Sequence, residues 1–125
     1  EIADKICEIA PEALQETWDN SGFLAGSRKH PVTKVLTCLD LDFSVLKEAE
    51  RLGCEMIVTH HPLLFSGIKK LTDEDPAGRL IRQLVQHDIA VTTAGIEHIA
   101  FGCSKSRLAI ILFIASNFAG ASKSA

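Results

Sequence analysis

The chain has 125 residues, 46% hydrophobic and 23% charged, with a formal net charge of −3. That length holds one domain with a substantial core, and the apolar content excludes disorder as the default state. The slight acidity and the lack of any Lys/Arg block exclude a concentrated phosphate-binding surface, so no specific nucleic acid partner is expected. From Ile2 to Leu14, apolar residues fall at Ile2, Ala3, Ile6, Ile9, Ala10 and Ala13, close to helical spacing. Pro11 is discordant there and ends one helix or starts another. Trp18-Asp19-Asn20-Ser21-Gly22 is a turn-forming string, Phe23 to Gly26 reads as a short strand, and Ser27 to Thr33 is a polar loop.

Lys34 to Leu39 is a short, nearly continuous apolar run, as expected of a strand buried on both faces. Ser44 is a candidate cap for a helix carrying Val45, Leu46, Ala49 and Leu52 on one side, and Gly53 follows its last turn. Glu55 to Thr59 is a second buried strand, so the segment reads as a βαβ unit with a parallel pair and a right-handed crossover. After a long loop from His60 to Asp75, Pro76 opens a helix whose apolar stripe is Leu80, Ile81, Leu84 and Val85. Ile89 to Thr93 is a third strand. Leu108 to Phe118 fits either a helix or a buried strand, and Ala119 to Ala125 reads as a frayed tail. The expected organisation is a single α/β domain over residues 1–118, with a mainly parallel sheet and flanking helices.

Cys7, Cys38, Cys54 and Cys103 form no C-x-x-C pair, which argues against a zinc ribbon or a thioredoxin-like site. Cys38 and Cys54 lie among apolar residues, where a thiol behaves as a small hydrophobe, and a reducing cytoplasm fits this usage better than secretion. The longest apolar run, Leu108 to Ala115, falls well short of the roughly 20 residues a membrane-spanning helix needs. No N-terminal signal pattern is present, and the opening Glu1 reads as the start of a fragment.

In a parallel α/β sheet, ligands bind beyond the carboxyl ends of the strands. Here those ends carry Asp40-Leu41-Asp42, then Thr59-His60-His61-Pro62, then Gly95-Ile96-Glu97-His98. Carboxylates and imidazoles together are a ligand set for zinc, manganese or iron. His60 and His61 can share one site only where the strand gives way to a loop, and Pro62 fits such an exit. The residues themselves leave two readings open, a metal-binding pair or a hydrogen-bonded pair without metal. Asp40 and Asp42 are ligands, partners orienting a histidine, or helix caps. Glu97 and His98 read as solvent-facing loop residues, and His30 and His87 as exposed. No nucleophile elbow or glycine-rich phosphate loop occurs.

Three blocks carry a resemblance: Trp18 to Gly26, Leu39-Asp40-Leu41, and Ile57-Val58-Thr59-His60-His61-Pro62-Leu63-Leu64-Phe65-Ser66-Gly67. With the Ile89-Ala90-Val91 strand, their order and spacing resemble the N-terminal half of the GTP cyclohydrolase 1 type 2 homologues, over residues 1–94. The resemblance implies an α/β domain with a two-metal site, His60 and His61 as ligands, and ring-like homo-oligomers, often hexamers. It suggests a metal-dependent hydrolase of unspecified substrate. Departures from the family pattern also have consequences. Ile99 occupies the position of a ligating Asp, with Glu97 and His98 as conceivable substitutes, and the family's C-terminal His and Glu have no counterpart here. The competing expectation is therefore a non-catalytic oligomerisation or interaction module that keeps the fold and has lost part of the site.

Overall fold

The computed structural model describes residues 1–94 other than Ala10, Glu16 and Phe65. The expected domain boundary at residue 118, the tail after it, Cys103, and Glu97, His98 and Ile99 lie outside these residues. Helix α1 (Ile2–Ile9) is followed by a 3-10 turn (Glu12–Leu14), β1 (Gly22–Ala25), β2 (Val35–Cys38), α2 (Phe43–Leu52), β3 (Met56–Thr59), α3 (Pro76–Gln86) and β4 (Ala90–Thr93). The first apolar segment thus divides at Pro11, which has no amide hydrogen to continue a helix and instead leads the 3-10 turn.

The sheet order is β1-β4-β3-β2. Strands β2, β3 and β4 are parallel, Val35 facing Met56 and Met56 facing Ala90, whereas β1 joins β4 antiparallel at the edge. The α/β class and the mainly parallel sheet expected from sequence are both present. Because β2, β3 and β4 advance in one direction, right-handed crossovers place α2 and α3 on the same face. That face holds the main core, in which Leu36, Ile57 and Val91 of the strands meet Val45, Leu46 and Ala49 of α2 and Leu80 and Leu84 of α3. Each fully buried Leu, Ile or Val side chain there contributes about 1.5–3 kcal/mol of transfer free energy. The opposite face is thinner, with Val35, Met56, Val58 and Ala90 packed against Ile2 and Ile6 of α1 and against Phe23.

Two local expectations are corrected. The cap of α2 is Asp42, which is one of the readings open for that residue, rather than Ser44: the Asp42 carboxylate accepts the Val45 N–H at 2.9 Å and the Ser44 hydroxyl at 2.6 Å. A carboxylate both satisfies an orphan amide and sits favourably at the positive end of the helix dipole, so it prevails over the hydroxyl two residues on. In α3, Leu80 and Leu84 are buried as expected, but Val85 is 67% exposed. The stripe is therefore narrower than its sequence suggests, and Gly78 is buried on another side of the helix, against the Thr72 backbone. Asp75 caps α3 by accepting the Gly78 N–H at 2.7 Å, and Pro76 occupies the first turn. Gly53 ends α2 in the left-handed region, φ 70°, as its position predicts.

Candidate metal centre at the carboxyl edge

The ends of β3 and β4 are tied together below the site. Thr59 and Thr93 are both buried and share a hydroxyl–hydroxyl hydrogen bond of 2.7 Å, while the Ala94 N–H donates to the Thr59 carbonyl at 2.9 Å. Beyond Thr59, the His60 N–H donates to the Cys38 carbonyl at 3.0 Å and the His61 N–H to the Leu39 carbonyl at 2.9 Å. Successive amides of a regular strand point to opposite sides, so two in a row bonding the same neighbour show that the chain has turned. The turn releases the two side chains from strand alternation. Their rings come together, with centroids 5.0 Å apart and planes tilted by 44°.

Asp40, two residues past the end of β2, brings a carboxylate oxygen to 2.8 Å from His61 Nδ1. Burial pushes the His60 imidazole below its ordinary pKa, and the neighbouring His61 adds to the depression; Asp19 and Asp40 pull in the opposite direction without overcoming it. His60 is therefore biased toward the neutral form, the form that binds metal. Burial, followed by the nearby Asp40 and Asp42 carboxylates, pushes the Cys38 thiol up to about 12, so this cysteine behaves as packing.

The Trp18–Gly22 string folds against the segment that follows the histidines. Asn20 donates its side-chain amide to the Leu64 carbonyl at 2.6 Å, its backbone N–H bonds the Asp19 carboxylate at 2.8 Å, and Ser21 donates its backbone N–H and its hydroxyl to Gln15. Asp19 consequently lies close enough to His60 to act on its charge. Sequence places Asp19 in a turn and in the first of the three motif blocks, without a role at the site. The available signal was an acidic residue inside a long motif block that had to pack somewhere, but only the fold says where.

The other candidates disperse. Asp42 is engaged at the start of α2. His30 and His87 are exposed, as expected, and meet Asp88 at 2.7 Å and Glu50 at 3.2 Å, away from the pair. Leu63, Leu64, Ser66, Lys69, Lys70 and Thr72 contribute to a cleft of about 580 Å³ beside the start of α3. Among the described residues no group of three or more His, Cys, Asp or Glu side chains could hold a metal ion. In type, the two imidazoles fit a borderline divalent cation; in number they fall short of the three or four protein ligands typical of zinc. Among the described residues no helix is long and apolar enough to cross a membrane.

A mixed α/β sheet with paired histidines where its central parallel strand ends defines the class of this chain. The Duf34/NIF3 (NGG1p interacting factor 3) family profile matches residues 1–101, and the chain belongs to that family. A "GTP cyclohydrolase 1 type 2 homolog" of Clostridium perfringens is 42% identical over 94 residues, 75% of this chain and 36% of that protein. Its counterpart in Staphylococcus aureus is 44% identical over 79 residues, 63% of this chain and 21% of that one. Among solved structures, a Staphylococcus aureus hypothetical protein aligns with a TM-score of 0.71 at 37% identity, covering 75% of this chain and 31% of its own. A Bacillus cereus protein related to NIF3 aligns at 0.70 and 32% identity, covering 75% and 26% respectively. The chain spans about a third or less of the length of these relatives.

Proposed function

We propose that this chain binds a divalent metal, zinc, manganese or iron, through His60 and His61, and contributes the N-terminal part of a metal-dependent hydrolase site of unspecified substrate. The observation that carries the reading is the meeting of the two imidazoles beyond a buried parallel strand, where α/β sheets bind ligands. A bound cation would supply Lewis-acid polarisation and a water acidic enough to act as hydroxide near neutral pH. The chain's own contribution is to hold the two imidazoles together at the sheet edge, with the Trp18–Gly22 segment anchored through Asn20 to the loop that follows them. The remaining ligands, for as many as two metals per intact site, come from beyond residue 94 or from another subunit of a homo-oligomer, a hexamer by likeness to the family. A cytoplasmic location completes the proposal.

The second reading, a non-catalytic oligomerisation or interaction module, is favoured by the lack of a third donor among the described residues. Metal content measured by mass spectrometry, beside a His60→Ala/His61→Ala double variant, separates the two. About two metals per chain, lost in the folded double variant, is the result expected of the metal site. No metal in either folded protein overturns the metal reading and leaves the module.

A further inference from the structure

We propose that Asp40 is a positioning residue that locks His61 in the Nδ1–H tautomer, so that Nε2 is the lone-pair nitrogen His61 presents to a metal. A carboxylate only accepts hydrogen bonds, and its oxygen lies 2.8 Å from Nδ1, so that nitrogen carries the proton. A neutral imidazole has one proton to place, and Nε2 is then the unprotonated donor.

The contact is built into the main chain. The His61 N–H donates to the carbonyl of Leu39, the residue before Asp40, at 2.9 Å, and the His60 N–H donates to Cys38 one residue earlier. These bonds hold the two segments side by side, so Asp40 reaches His61 by register rather than as a chance meeting of long surface side chains. Both partners are short, with few rotamers to immobilise. The Asp40 side chain is 74% exposed and that of His61 38%, so the pair adds little to folding stability and its role lies elsewhere. A carboxylate on the far nitrogen of a ligating histidine orients the ring and raises its basicity.

That metal role rests on the proposed function above, whereas the tautomer does not. The test begins with the full chain, 15N-labelled and metal-free, at about pH 8, where an ordinary imidazole is neutral. Long-range proton–nitrogen correlation spectra report which ring nitrogen carries the proton, and a His61→Gln variant assigns the signals. His61 is expected as Nδ1–H in the parent chain, and mostly as Nε2–H, the form free histidine favours in water, in Asp40→Ala. Backbone amide spectra should otherwise match, because Asp40 is exposed. Zn2+ titration then follows, and Asp40→Ala should weaken binding about 10- to 100-fold.

An unchanged tautomer in Asp40→Ala overturns the proposal. A changed tautomer with unchanged zinc affinity, where the double histidine variant loses zinc, overturns Asp40's role toward the metal. A tautomer that switches between the parent chain and Asp40→Ala, with no zinc taken up by the parent, supports the positioning and refutes the metal reading, so the two failures are distinguishable.

Discussion

Gly26 sits where β1 leaves the sheet, with φ at +101°, and its missing side chain is required by β4. A Cβ built there would lie 2.7 Å from the Ala90 Cα and 2.8 Å from the Ala90 Cβ. Ordinary carbon–carbon contacts are about 3.5–4.0 Å, so the shortfall is roughly 0.8 Å or more. Ala90 has nowhere to retreat: it is buried, its N–H donates to the Glu55 carbonyl at 2.9 Å, and it faces Met56 in the parallel ladder. Gly26→Ala therefore adds a left-handed backbone penalty of about 1–2 kcal/mol to an overpacking cost of about 1–3 kcal/mol, or roughly 2–5 kcal/mol together.

Gly53→Ala is the internal control, because it shares the positive φ, +70°, but its new Cβ would meet only Lys34 Nζ, at 4.0 Å. Its cost should be the conformational part alone, about 1–2 kcal/mol. Urea unfolding followed by circular dichroism reads both. With a slope of about 1–3 kcal/mol per molar, Gly26→Ala should lower the midpoint by roughly 0.7–5 M and Gly53→Ala, at the same slope, by clearly less. Equal shifts in the two variants would refute the close approach of β1 to β4 as the reason glycine stands at position 26.

Two further predictions test other parts of the fold. Burial raises the Glu55 pKa, but hydrogen bonds from the Lys34 and Thr33 backbone N–H groups and the Thr33 hydroxyl outweigh it, leaving a net depression. A depressed folded-state pKa gives stability that is present above the unfolded value and is lost as pH falls through the folded one. Glu55→Gln should therefore be less stable than the parent at neutral pH, with the gap closing below about pH 4.5 in urea titrations across pH. A pH-independent gap would contradict the charge-based account. Cys38, buried and pushed up to about 12, should resist iodoacetamide at about pH 8 in the folded chain and react fully in urea, as mass mapping of the modified peptides would show. Rapid native labelling at Cys38 would mean that the edge strand β2 opens readily.

The local elements were legible because they depend on neighbours in sequence. The apolar run ending in Asp40, the left-handed glycine after α2, Pro76 at a helix start and the run before His60 each state their conformation within a few residues. So did the parallel β2-α2-β3 unit, since a short crossover helix leaves little choice of hand or direction. The three motif blocks also marked the family, which the match over residues 1–101 bears out. Placing His60 and His61 at a strand exit was within reach of sequence, because alternation forbids their meeting anywhere else.

Tertiary structure alone decided the rest. Nothing near Phe23 says that β1 runs antiparallel beside β4, because the pairing joins residues about 70 positions apart, and Thr92 donating to the Gly22 carbonyl is its product. The cap of α2, by contrast, is a local contact three residues long, for which the sequence offered both Ser44 and Asp42 and the carboxylate reached the free amide. Asp40, Asp42 and Asp19 were alike in sequence as acidic loop residues. The fold turned one onto His61, one onto a helix amide and one toward His60, through contacts spanning 21 residues in the first case and 3 in the second. Residue type and local spacing determine which groups can ligate or cap; the register of β2 against β3 determines which of them meet.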